Sequence, residues 1–208
     1  MVCTRGEDNL KHRIGFSLKL LNLLMEKFKD TFRVETTRLK EWDYSNPWWY
    51  YVTINTKDHV EYFGKVEGGE MVLNELGLVV KRSWKEMPKH FSNVELDYFV
   101  IMPNHVHGII IINETQNVET CHGMSLQSKK NEFSKPIKNS LSVIVNQFKG
   151  SVKRWANKNG YTNFSWQARF YDRIIRNEKE LFNIRKYIEQ NPQRWDLEKS
   201  QLENICEV

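Results

Sequence analysis

His105-Val106-His107 sets two imidazoles two residues apart. On a β-strand, residues i and i+2 point to the same face, so both rings project together and Val106 faces the opposite way. Two neutral imidazoles side by side make half of a metal site. An isolated pair of this kind is also a common structural pattern, so the pair needs partners before it carries chemistry.

Tyr187-Ile188-Glu189-Gln190-Asn191 offers such partners. Tyr187 and Asn191 are four residues apart and share one face of a helix. Leu181, Ile184 and Ile188 form the apolar stripe beside them. A phenol has a pKa near 10, and a nearby cation favours the phenolate and makes it a nucleophile. The amide oxygen of Asn191 suits Mg²⁺ or Mn²⁺. Basic and aromatic residues crowd the same stretch. Arg169, Arg173, Arg176, Arg185, Lys186 and Arg194 interleave with Trp166, Phe170, Tyr171 and Trp195. Charge for phosphates and rings for bases is what a single strand of nucleic acid needs. The competing reading is a solvated face, because Glu178, Glu180 and Glu189 sit among the arginines.

These residues need elements to hold them. Trp48–Thr56 (WWYYVTINT) reads as a strand after the turn at Tyr44-Ser45-Asn46-Pro47. Gly68-Gly69 breaks the chain. Val72, Leu76, Val79, Val80 and Trp84 follow helical spacing. Val94–Tyr98 alternates, Pro103-Asn104 turns, and His105–Ile112 reads as a buried strand. Leu141, Ile144, Val145, Phe148, Val152 and Trp155 give a helix with Lys149, Lys153 and Arg154 on its other side. Phe170–Arg176 reads as a strand. The last helix starts at Asn177, with Glu180 in a capping-box position, and is expected to close at Pro192. The order β-α-β-β-α-β-α predicts an α+β sandwich with helices packed on one antiparallel sheet.

The bulk properties agree with such a domain. The chain has 208 residues, enough for one domain with appendages. Lys and Arg number 31 against 26 Asp and Glu, a net charge of +5 that is weak evidence for a polyanionic partner. The three cysteines, Cys3, Cys121 and Cys206, form no C-x-x-C pair, which fits a reducing cytoplasm rather than a disulfide framework. Leu18–Phe28 is too short and too polar to span a bilayer and reads as an amphipathic helix. No membrane partner is expected. Residues 1–35 form a helical preface in this reading, and the polar stretch 113–136 a long loop or insertion.

Three ordered blocks give the sequence a resemblance. Met102-Pro103-Asn104-His105-Val106-His107-Gly108 resembles the MPNHxHG signature of the REP-associated tyrosine transposases, members of the single-tyrosine HUH superfamily. Ser165-Trp166-Gln167 through Ile175-Arg176-Asn177-Glu178 resembles a second motif of that family, and Tyr187–Pro192 its YIxxNP motif. The helix segment Val145–Val152 is similar as well. The resemblance runs from about Arg38 to Leu197.

It implies a ferredoxin-like α+β fold over residues 36–197, followed by a tail, 198–208. It also implies a divalent metal, Mg²⁺ or Mn²⁺, on His105, His107 and Asn191, with Tyr187 as the nucleophile. The implied activity is cleavage and rejoining of single-stranded or hairpin DNA through a 5′-phosphotyrosine link, in the cytoplasm at the nucleoid, by a monomer or a homodimer. Lys149, Lys153, Arg154, Trp166, Arg169, Arg173, Arg176, Arg185 and Lys186 are the expected DNA contacts. The alternative is a protein of the same descent that binds such DNA without cutting it.

Overall fold

The computed structural model describes residues 27–28, 31–32, 38–39, 41–114 and 137–206. The chain divides into two units, Met1–Thr37 and Arg38–Val208. In the first, β1 (Lys27–Phe28) pairs antiparallel with β2 (Thr31–Phe32). The helix expected over Leu18–Phe28 lies outside the described residues except for its last two, which are strand. Residues 115–136, most of the expected insertion, also lie outside them.

The second unit is built on β3 (Trp48–Asn55), β6 (Val94–Ile101), β7 (His105–Ile112) and β8 (Tyr171–Ile174). These form one sheet in the order β6-β7-β3-β8, with every neighbouring pair antiparallel. The remaining elements are the hairpin β4 (Gly64–Glu67) and β5 (Glu70–Leu73), and the helices α1 (Glu75–Lys85), α2 (Met87–His90), α3 (Leu141–Lys158) and α4 (Glu178–Cys206). The α+β architecture with helices on a central antiparallel sheet is the expected one.

Strand alternation sorts the core into two layers. Tyr50, Val52 and Ile54 of β3 and Val106, Ile110 and Ile112 of β7 join Leu76, Val80 and Trp84 of α1 and Ile144, Phe148 and Val152 of α3 in one buried cluster. The other face contributes Tyr51, Ile109 and Ile111, which pack with Ile175 and with Ile188 of α4. The odd-numbered residues of β7, the two histidines among them, therefore share the face that α4 covers.

Gly108 lies on the first face. A Cβ there would stand 2.3 Å from Cζ2 of Trp84 and 3.1 Å from Cβ of Phe99, and Trp84 is fully buried. Gly108→Ala is therefore expected to lower stability by about 1–3 kcal/mol through overpacking. Thermal melts of the two proteins check this, and equal midpoints would mean that the Trp84 ring yields freely.

The structure departs from the sequence reading at three places. Val72, assigned to the helix, belongs to β5. The helix starts after Asn74, whose side chain accepts from the Gly77 amide at 2.9 Å. Gly68-Gly69 closes the β4–β5 hairpin, both glycines having positive φ (59° and 77°), the geometry that a two-residue hairpin turn favours. The last helix does not close at Pro192, and it crosses the expected boundary at residue 197 to reach Cys206. A proline removes one backbone hydrogen bond but does not stop a helix held from outside. Here the Gly69 amide donates to Asp196 Oδ2 at 3.0 Å, and the Gln193 side chain lies where a Cβ on Gly69 would touch it. The hairpin thus fastens the helix beyond the proline.

Candidate active site

The sequence between β6 and β7 shapes the site. Met102 is fully buried, and its amide donates to the His105 carbonyl at 2.8 Å. The Pro103 carbonyl accepts from the amides of Tyr62 and Phe63 at 2.9 and 3.0 Å. Asn104 orients the first histidine. Its Nδ2 donates to the His59 carbonyl at 2.9 Å, which turns Oδ1 toward His105 Nδ1 at 2.6 Å. Oδ1 only accepts, so Nδ1 of His105 carries the proton and Nε2 keeps its lone pair.

The second histidine is set by β3. Thr53 is the residue directly opposite His107, and Tyr51 is its diagonal neighbour on the same face. His107 Nδ1 lies 2.8 Å from the Tyr51 hydroxyl and 2.9 Å from Thr53 Oγ1. Burial depresses both imidazoles. His105 falls to about 4, with a smaller downward push from His59 and an opposing hydrogen bond from Asn191, and His107 falls to about 3, with a further push from His105. Both rings are therefore neutral at pH 7, the form that binds a cation.

Helix α4 brings the third group. Asn177 caps it by accepting from the Glu180 amide at 2.9 Å, as the sequence predicts, whereas Glu180 Oε2 returns to the Arg176 amide at 2.9 Å rather than to the cap residue itself. Arg185 pins the helix to β6 through Asp97 at 2.7 Å. Asn191 is buried, and its side chain hydrogen-bonds His105. Tyr187 stands at the rim, 38 % exposed, with its ring centroid 5.3 Å from His107 and 6.5 Å from Tyr51. The two histidine rings are 4.5 Å apart, and Trp195 packs on His105 at 5.7 Å. Arg194 places its guanidinium 5.7 Å from the centre of the Tyr187 ring.

His105, His107, Tyr187 and Asn191 thus converge on one face of the sheet. Among the described residues no group of three or more His, Cys, Asp or Glu could hold a metal. Any cation here would have two imidazoles and the Asn191 amide as its protein ligands. That set fits Mn²⁺ or Mg²⁺ in type, with the nitrogens favouring Mn²⁺.

The expected DNA contacts divide. Lys149 is buried, and its ammonium donates to the carbonyls of Gln167 (2.5 Å) and Arg169 (3.4 Å), so it secures the loop before β8 instead of meeting a phosphate. Lys153 similarly donates to the carbonyls of Thr162 and Phe164. Trp166 packs against Phe63, Phe148 and Phe164, and its Nε1 donates to the Lys149 carbonyl at 3.1 Å, which makes it part of the core and not a stacking platform. The reason is common to all three: they lie on or beneath α3, on the sheet face opposite the histidines. Arg154 of α3 is exposed. Arg185 is committed to Asp97, and Arg173 pairs with Glu180 at 2.5 Å. Arg169, Arg176 and Lys186 are exposed.

The sequence reading missed Tyr51, Thr53 and Asn104. Alternation along WWYYVTINT puts Tyr51 and Thr53 on one face, but only the pairing register with β7 sets them against His107.

No helix among the described residues is long and apolar enough to cross a membrane. No family model matches the sequence. An uncharacterized protein of Haemophilus influenzae is 39% identical over 160 residues, which cover 76% of this chain and 88% of that protein. Among solved structures, a REP-associated tyrosine transposase bound to a REP hairpin is similar at 16% identity and a TM-score of 0.49, over 76% of this chain and 74% of that one. A candidate transposase of Deinococcus radiodurans is similar at 16% identity and a TM-score of 0.39, over 74% and 96%. At 39% identity across most of both proteins, the chain belongs to one family with the Haemophilus influenzae protein.

Proposed function

We propose that this chain is a single-tyrosine transposase of the REP-associated type, which cleaves and rejoins single-stranded or hairpin DNA with residues 36–197 as its catalytic domain. The observation that carries the reading is the convergence of two of the sequence motifs. Helix α4 lays Tyr187 and Asn191 of YIEQNP against His105 and His107 of MPNHVHG, although the two motifs are 80 residues apart.

His105, His107 and Asn191 would hold the divalent cation, which when bound supplies polarisation of the scissile phosphate. Every other part of the chemistry belongs to the chain. The Tyr187 oxygen forms a bond to phosphorus, the P–O3′ bond breaks, and the departing strand leaves with a 3′-hydroxyl. The phenolic proton passes to water at the open rim, and water gives a proton to the departing 3′-oxygen. The Arg194 guanidinium stands 5.7 Å from the centre of the Tyr187 ring and places a positive charge beside the attacking group. One phosphodiester is exchanged for another, so attack by a second strand's 3′-hydroxyl reverses the link and frees Tyr187 without ATP. Exposed Arg169, Arg176 and Lys186 supply charge for the strand. Helix α4, packed on the histidine face of the sheet, holds the nucleophile beside the phosphate, and such positioning can supply up to about 7–11 kcal/mol of the barrier.

A denaturing gel with labelled hairpin and single-stranded DNA and Mn²⁺ tests this. A protein–DNA band that survives denaturation is expected. Free cleavage without that band would point to a hydrolase that uses water, and a mobility shift with neither would point to a binder. Single-stranded or hairpin DNA is also expected to bind more tightly than a perfect duplex, with affinity falling steeply as salt rises. Equal affinity for plain duplex in a fluorescence-anisotropy titration would contradict the reading.

A further inference from the structure

We propose that the hydroxyls of Tyr51 and Thr53 are a positioning pair that holds His107 with its proton on Nδ1, so that Nε2 is the nitrogen left to take the cation. This rests on the reading of His107 as a metal ligand. The three atoms form a closed triangle: Nδ1 to Tyr51 Oη at 2.8 Å, Nδ1 to Thr53 Oγ1 at 2.9 Å, and Thr53 Oγ1 to Tyr51 Oη at 3.2 Å. Thr53 Oγ1 accepts from Nδ1–H while it donates to Tyr51 Oη, and Tyr51 Oη is a second acceptor for Nδ1–H with its own proton turned out of the triangle. With Nδ1 turned into the sheet between two oxygens, a cation cannot reach it.

The arrangement parallels that of His105, whose Nδ1 is fixed by Asn104 from within the chain. The two histidines are thereby locked by different devices: one by the amide next to it in sequence, the other by two hydroxyls of the neighbouring strand. Tyr51 is buried and stacks its ring on His107 at 5.7 Å, with the planes 21° apart. It therefore restrains the tilt of the imidazole as well as its tautomer. Partners of this outer kind typically contribute about 10–100-fold in metal affinity. Tyr51 touches neither Asn191 nor the cation position in any described contact, and its role is exerted through His107.

The test uses the full chain labelled with ¹⁵N-histidine. Long-range ¹H–¹⁵N correlation spectra of the metal-free protein read the tautomer, and Mn²⁺ titration by electron paramagnetic resonance reads affinity. In the wild type, His107 is expected to be protonated on Nδ1. In Tyr51→Phe/Thr53→Val, the signal should move toward the Nε2-protonated form, with Mn²⁺ affinity roughly 10–100-fold weaker. Thr53→Val alone keeps the shape of the side chain on its strand and should give a smaller change of the same sign. Tyr51→Phe/Thr53→Ser returns one hydroxyl and should recover part of the loss. A His107 protonated on Nε2 in the wild type overturns the inference, as does a double variant that is folded and binds Mn²⁺ like the wild type. Failure of the wild type to bind Mn²⁺ at all would instead sink the metal reading, and the tautomer spectrum would still decide whether the hydroxyl pair sets His107.

Discussion

Tyr187→Phe is expected to bind DNA and Mn²⁺ as the wild type does and to form no covalent adduct. Tyr187 is 38 % exposed at the rim. Removing one hydroxyl there changes almost no packing, and a surface substitution of this kind alters stability by no more than about 0.5 kcal/mol. Losing the attacking atom, by contrast, removes the reaction itself. Cleavage should fall by more than about a thousandfold, the order seen when an enzyme loses its nucleophile. A melting curve that overlays the wild type, together with an empty adduct lane, is the expected pair of results.

Tyr171 is the rival nucleophile. It lies on β8 opposite Thr53 and is 46 % exposed, and its ring is 6.3 Å from Tyr51. Its strand fixes it among side chains that alternate, and no described contact ties it to either histidine. Tyr187 touches the His107 ring and stands one helical turn before Asn191. Tyr171→Phe should therefore keep the adduct. Digesting the trapped complex and mapping the modified peptide decides between the two. A phosphonucleotide on Tyr171 would overturn the assignment.

Much of this site was legible in the sequence because it depends on short-range periodicity. His105 and His107 share a face by strand alternation, and Tyr187 and Asn191 share one by helical spacing. What the sequence does not carry is long-range register. Nothing in WWYYVTINT says that Thr53 falls opposite His107, so Tyr51 and Thr53 passed as strand formers. The same limit hid the surroundings of Lys149, Lys153 and Trp166. Their spacing matched a basic, aromatic surface, but α3 covers the opposite face of the sheet, and both amines close on backbone carbonyls. Pro192 misled for a related reason. Local rules end a helix there, whereas a tertiary hydrogen bond from the Gly69 amide to Asp196 holds the continuation. Gly108 is the converse case. It sits in the signature beside the histidines, yet what the position requires is room for Trp84, which is packing and not chemistry.

His107→Ala and His105→Ala are expected to abolish cleavage while leaving the fold and most of the DNA affinity in place. Each removes one of the three proposed protein ligands, and each neutral imidazole is replaced by nothing that can bind a cation. Mn²⁺ affinity should drop by more than about 100-fold, beyond the effect of losing an outer partner alone. The two variants should nevertheless differ in stability. His105 is partly exposed, so truncation there empties a site open to water, which can take over the hydrogen bonds of Asn104 and Asn191. His107 is 5 % exposed, stacks on Tyr51 and satisfies two hydroxyls, so its loss leaves a cavity and unpaired polar groups. Truncating a buried ring that is hydrogen-bonded costs about 1–3 kcal/mol from the stranded partners alone. His107→Ala should therefore melt several degrees below His105→Ala. His107→Gln, which keeps a polar group on the same strand face, separates lost metal from lost packing: it should recover stability without recovering cleavage. If both alanine variants cleave at the wild-type rate, neither histidine serves a metal, and the chemistry of Tyr187 must proceed without one at this site.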